Sequence, residues 1–192
     1  RHDLANLLTG INVAYDMYKS ENDDSYLKEG FNKSREGIEL INRMRRLEDL
    51  GREGRNLQHI DLHELIHKVA ERFDIPIAIS GHATVLADSA LDAVIYNIIQ
   101  NAIKHGGTQK MEIEIDTNKK RYVEIIFRDF GTGINNKIKS KIFEEGFKNR
   151  ETGNTGIGLY IVKETIEEYG GRVNVRDTKP QGATFIITLP RI

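Results

Sequence analysis

Asn97-Ile98-Ile99-Gln100-Asn101-Ala102-Ile103-Lys104-His105 closes a strongly apolar stretch that reads as a helix from Ser89 to Lys104. Asn97, Asn101 and Lys104 stand at i, i+4 and i+7, so one helix face carries two amides and an ammonium. An amide oxygen is a hard, neutral ligand of the kind Mg²⁺ favours, and a lysine supplies charge for phosphate oxygens. Taken alone, the pattern is also that of an ordinary solvated face on an amphipathic helix.

Outward from this helix, period-two alternation takes over. Met111–Asp116 and Tyr122–Phe127 read as strands joined through the polar residues Thr117 to Lys120. Arg172–Arg176 and Ala183–Leu189 read as two more strands, and Ile157–Tyr169 as a helix stopped by Gly170 and Gly171. On the other side, Leu62–Phe73 reads as a helix with Asp61 as its N-cap, followed by short strands at Ile75–Ile79 and Thr84–Ala87. Strands mixed with helices able to lie on one face imply an α+β class and a two-layer α/β sandwich.

Two further stations carry chemistry. Asp129-Phe130-Gly131-Thr132-Gly133-Ile134 follows a strand: the glycines let backbone approach a ligand, and the carboxylate can accept from an amino group such as adenine N6. Gly153-Asn154-Thr155-Gly156-Ile157-Gly158-Leu159 runs into a helix, where bare backbone N–H groups make a phosphate cradle. Each also reads as a plain glycine-containing turn or loop. Phe143-Glu144-Glu145-Gly146-Phe147 lies between them, two aromatics that either clamp a lid or anchor a loop.

In this order the stations resemble the N, G1, F and G2 boxes of the histidine-kinase ATPase domain in the GHKL superfamily, and Gly182-Ala183-Thr184-Phe185 onward resembles its closing strand. The resemblance runs from about residue 59 to residue 192. It implies ATP and Mg²⁺ as ligands. Asn101 would hold the metal with Asn97 nearby, Lys104 and His105 would meet phosphates, and Asp129 would select adenine with Thr184 supporting it through water. Gly131, Gly133, Thr155, Gly156, Gly158 and Leu159 would line the pocket and lid. Asn154 departs from the family's more frequent glycine.

Before residue 55 the pattern is helical. Leu4, Leu8, Ile11, Tyr15 and Tyr18 draw one stripe, Ser20 to Ser25 breaks it, and a second stripe runs through Leu27, Phe31, Ile38 and Ile41, with Gly51 and Gly54 ending it. The division expected is therefore residues 1–54 as a helical hairpin and 55–192 as the ATP-binding domain. So small a hairpin buries little by itself, and dimerisation into a four-helix bundle is the natural remedy. His2 and Asn6 share a helix face about 200° from Leu4 at about 100° per residue, which turns His2 away from the seam. An imidazole is a competent phosphoryl acceptor, and Asp3 can take the other ring proton. His2-Asp3-Leu4-Ala5-Asn6 resembles the H box of histidine kinases, with Leu7 where proline is frequent. That resemblance implies autophosphorylation of His2 assisted by Asp3, transfer to an aspartate of a response-regulator receiver domain, and dephosphorylation of the partner through Asn6.

Other classes are weighed by the same residues. Net charge is −1, so no overall field favours nucleic acid or a membrane. Cysteine is absent, which excludes disulfides and zinc–thiolate sites and fits a reducing compartment. No apolar run reaches membrane-spanning length. The chain begins at Arg1, and the expectation is a cytoplasmic piece of a longer sensor whose membrane contact lies elsewhere. The rivals are a GHKL serine kinase of the anti-sigma type, which lacks such a hairpin, and a nucleotide-gated scaffold that transfers nothing.

Overall fold

A computed structural model describes residues 2–21, 23–34, 37, 57–144, 147 and 158–192, with backbone alone for residues 2–5. The chain divides into two compact units, Arg1–Arg55 and Asn56–Ile192.

In the first unit, α1 spans His2–Glu21 and helical residues 24–34 belong to a second helix, α2. The turn between them is closed by Asp23, whose carboxylate accepts from the Ser25 amide at 2.8 Å, and by Tyr26, whose hydroxyl donates to Glu21. Small residues set the approach. A Cβ on Gly30 would lie 3.2 Å from the Ala14 methyl, and one on Gly10 would lie 3.5 Å from the Lys33 side chain, an antiparallel register. Leu8 and Tyr15 of the sequence-predicted stripe are 55% and 60% exposed, so α2 does not cover them.

The second unit is the two-layer sandwich. Its strands are β1 (Gln58–Asp61), β2 (Ile77–Ser80), β3 (Thr84–Ala87), β4 (Met111–Asp116), β5 (Tyr122–Asp129), β6 (Arg172–Asp177) and β7 (Ala183–Pro190). Its helices are α3 (Leu62–Ala70), α4 (Ala90–Lys104) and α5 (Gly158–Glu168). The main sheet has order β2-β4-β5-β7-β6, antiparallel except for β2 with β4, and β1 pairs with β3 alone. Alternation sorts its faces. Ile113, Ile125, Phe127, Phe185 and Ile187 bury against Leu62, Ile66, Leu91, Ile95, Ile98, Ile99, Val162 and Ile166 of the helices. Glu112, Arg128 and Arg176 occupy the intervening register on the other face, the pattern of an antiparallel sheet covered on one side.

Local chemistry adjusts several boundaries. Asp61 caps α3 as its sequence suggests, accepting from the Glu64 amide at 3.0 Å. At α4 the capping oxygen belongs to Asp88, which accepts from the Ala90 amide at 2.8 Å, while Ser89 makes no side-chain cap. β2 begins at Ile77 rather than Ile75, because Pro76 has no N–H to give a ladder; its carbonyl instead accepts from Met111. β1 was not foreseen, since Gln58-His59-Ile60-Asp61 holds one apolar residue and takes its pairing from β3.

Removing a filled core side chain should cost far more than trimming the solvent face. Phe127→Ala is expected to lose about 3–5 kcal/mol of stability and Glu112→Ala about 0.5 kcal/mol or less. Urea denaturation of the two variants checks this, and equal losses would contradict the assigned faces.

Candidate functional site: a buried aspartate and an amide-lined helix

The apolar face of α4 is locked in the core, so its polar face is fixed in direction. Asn97 and Asn101, both half-buried, look toward the first residue of α5: a Cβ on Gly158 would lie 3.2 Å from Asn97 Oδ1 and 4.0 Å from Asn101 Nδ2. Two of the sequence-predicted stations thus meet, the Asn97 amide oxygen and the Asn101 amide nitrogen beside a helix N-terminus. The aligned peptide dipoles there favour negative charge. Leu159 is half-buried in the same first turn.

The third station is tied to the other end of α4. Thr132 N–H donates to Gly106 O at 2.8 Å, and the Thr108 hydroxyl accepts from Phe130 N–H at 3.1 Å while donating to Lys110 O at 2.7 Å. The backbones are so close that a Cβ on Gly131 would fall 2.1 Å from Gly106 O. Lys104 is exposed at the last turn of α4, and His105 is half-buried next to it, its carbonyl 3.5 Å from the Thr132 hydroxyl. Burial first, and the Lys104 charge second, hold the His105 imidazole below its ordinary pKa. It is thereby disposed to the neutral form.

Asp129 ends β5 and is 3% exposed. Its Oδ1 accepts from Gly131 N–H and from Ala183 N–H, each at 3.0 Å. Oδ2 takes no hydrogen bond from a described residue. Burial raises the carboxyl pKa, and the two amide bonds offset only part of that. Gly182, at φ +128°, makes the second amide bond possible, since a Cβ there would strike Asp129 O at 2.1 Å.

Thr184 does not join this group. It pairs with Arg128 on β5 and Arg176 on β6, on the face opposite Asp129, and its hydroxyl lies 2.7 Å from that of Thr178. The strand's phase thus turns the Thr184 side chain to the other face of the sheet from Asp129. The residues brought to Asp129 in its place are Gly182 and Ala183. Thr108 and Gly106 were also missed: both lie in the reversal after α4, where a hydroxyl beside glycines was the available signal. Gly133 and Ile134 lie in a wide groove of about 400 Å³ with Thr178 and Gly182. Phe143 packs edge-on against Phe185, ring centroids 6.2 Å apart, which makes it an anchor of its loop. Thr155 and Gly156, the side chains of His2 and Asp3, and residues 51–54 lie outside the described residues.

A buried carboxylate with one oxygen unbonded among the described residues suits an exocyclic amine, amide side chains suit a hard cation, and a helix N-terminus suits a phosphate. The donor set thus fits a magnesium nucleotide. Residues 87–192 match the model of the "Histidine kinase-, DNA gyrase B-, and HSP90-like ATPase" family. The chain is 37% identical over 102 residues to sensor histidine kinase GraS of Staphylococcus haemolyticus, a match covering 51% of this chain and 29% of that protein. It is 29% identical over 139 residues to a probable C4-dicarboxylate sensor kinase of Halalkalibacterium halodurans, covering 70% of this chain and 25% of that protein. The chain therefore spans under a third of these relatives' length. Among solved structures, the mycobacterial sensor histidine kinase MprB aligns with TM-score 0.62 and 27% identity, over 70% of this chain and 97% of that one. The Acinetobacter baumannii histidine kinase AdeS aligns over 99% of this chain and 98% of that one, with TM-score 0.62 and 18% identity, a likeness of fold.

Between the ordinary aspartate range and the raised Asp129 value the folded chain binds more protons than the unfolded one, so this group's contribution to stability falls as pH rises through that window. Asp129→Asn removes the titration while keeping an oxygen for both amides. Urea midpoints across a pH series should show the parent losing ground to the variant as pH climbs through the window, with a plateau above it.

Proposed function

The chain belongs to the histidine kinase-, DNA gyrase B- and HSP90-like ATPase family, and from that premise we propose that it is the core of a histidine protein kinase that uses Mg²⁺-ATP to phosphorylate His2. The observation that supports the nucleotide part is Asp129, a buried carboxylate whose Oδ2 takes no hydrogen bond from a described residue and whose burial raises its pKa. Groups perturbed in this way belong to binding sites more often than to frameworks.

Asp129 Oδ2 accepts from the adenine amine, and the backbone of Gly131 and Gly133 lies against the base. Asn101, with Asn97 beside it, holds Mg²⁺, which when bound neutralises charge on the phosphate oxygens. Lys104 and His105 serve the phosphates, together with the loop carrying Thr155 and Gly156 and the first turn of α5, Gly158 and Leu159. A ring nitrogen of His2 forms a bond to the γ-phosphorus as the bond to the β,γ-bridging oxygen breaks, and ADP leaves. The carboxylate of Asp3 accepts the proton on the other ring nitrogen and offsets the imidazolium charge. Phosphohistidine then donates to an aspartate of a response-regulator receiver domain, and Asn6 positions the water that hydrolyses the regulator's phosphoaspartate to aspartate and inorganic phosphate.

Residues 1–54 act as the dimerisation and phosphotransfer hairpin and 55–192 as the catalytic ATP-binding domain. What supports dimerisation is Leu8, Val13 and Tyr15, apolar side chains on α1 that are at least 55% exposed in the single chain. The active form is a homodimer, and the protein works at the cytoplasmic side with any membrane anchor outside this chain. Among the described residues no helix is long and apolar enough to cross a membrane.

Incubation with γ-labelled ATP and Mg²⁺ is expected to leave acid-labile, base-stable label on the chain. Label should vanish in His2→Gln with ATP binding kept. In Asp129→Asn it should fall because ATP affinity drops, by about tenfold or more for a lost buried hydrogen bond to a charged group. Acid-stable label would indicate a serine or threonine target, and ATP binding with no label would indicate a scaffold.

A further inference from the structure

Outside the nucleotide site, three of the chain's six histidines gather on the solvent side of α3. His63 and His67 are one turn apart, which puts two imidazoles on one helix face with Cβ atoms about 6 Å apart. Their ring centroids are 4.7 Å apart. His82, in the turn between β2 and β3, stacks on His63 at 3.9 Å between centroids. We infer that His63, His67 and His82 form a binding site for a borderline divalent cation of the Zn²⁺ class.

Four features carry this. Imidazole nitrogen is a preferred ligand for such ions, and a helical i, i+4 histidine pair is a known zinc-holding arrangement. His63 Nδ1 lies 2.9 Å from Gly81 O; a carbonyl only accepts, so Nδ1 carries the hydrogen and a neutral ring offers its lone pair at Nε2. A backbone carbonyl orienting the far nitrogen is the usual outer support of a metal-binding histidine. That carbonyl is itself fixed. Gly81 sits at φ +84°, and a Cβ there would lie 2.1 Å from Ile115 O, so the turn presses on β4 and holds His82 beside the helix.

The rings must turn to bind. Among the described residues no three metal-ligating side chains converge on one point, and His63 and His82 lie nearly parallel, 20° between planes. Lone pairs in stacked rings do not meet. His67 and His82 are exposed, so their two side-chain torsions can change without disturbing the core. Nitrogens about 2.0–2.1 Å from the ion, with water completing a tetrahedron, satisfy the ion's geometry. An octahedral oxygen-seeking ion such as Mg²⁺ gains little from imidazoles, so this site and the nucleotide site select different metals.

The test is calorimetric titration of the whole chain, without nucleotide, with Zn²⁺ in a non-chelating buffer. One equivalent is expected to bind with a dissociation constant on the order of micromolar. His63→Gln and His67→Gln should each weaken it by about tenfold or more, and His82→Gln by severalfold. His59→Gln and His2→Gln should leave it unchanged. Histidine ¹⁵N spectra with Zn²⁺ should shift the Nε2 resonance of His63. Unchanged melting curves in a chelator would show that the exposed-residue variants fold. Zinc affinity equal in the parent and in a His63→Gln/His67→Gln double variant, or lost equally in His59→Gln, would overturn the assignment.

Discussion

Two backbone amides converge on one buried oxygen, Asp129 Oδ1, and the site is organised around that contact. Gly131 N–H fixes the turn that follows β5, and Ala183 N–H fixes the start of β7. Strand, turn and neighbouring strand are thereby joined at one atom. The carboxylate remains costly to bury, as its raised pKa records, because two amide donors replace only part of the lost hydration. A framework contact would be cheaper with a neutral side chain. The cost becomes intelligible when the second oxygen has a ligand to meet.

Helix α4 serves both core and site. Ile95, Ile98, Ile99 and Ala102 pack against the sheet and the other helices, and this burial sets the rotation of the helix about its axis. With rotation set, Asn97 and Asn101 have one direction left, toward Gly158. The chain reversal after Lys104 then brings Gly106 against Gly131 and Thr108 against Phe130. Close packing thus transmits order from apolar side chains to the polar atoms of the candidate site. The same logic operates at Gly81, where contact with the Ile115 carbonyl fixes the turn bearing His82.

Much of this was legible in the residues, and the failures have physical causes. Long periodic segments such as Ser89–Lys104 and Met111–Asp116 declare themselves because burial demands a whole apolar face. β1 did not, since a four-residue strand with one apolar side chain takes its conformation from β3. The resemblance implies Thr184 beside Asp129, and the register puts the two side chains on opposite faces of the sheet. Ile186 and Ile187 are both apolar, which hides the phase of β7, and a one-residue error in phase reverses every side chain.

By itself the sequence determined the kinds of element, the order of the polar stations along the chain and the residue types proposed to hold a nucleotide. These follow from periodicity, from the freedom of glycine and from side-chain chemistry, all of which are local. Tertiary structure decided which stations meet. It brought Asn97 and Asn101 to Gly158, left one oxygen of Asp129 without a hydrogen bond among the described residues, turned Thr184 away and gathered three histidines from a helix and a turn. Such meetings depend on strand register, helix rotation and close backbone approach, which packing sets between segments far apart in the chain.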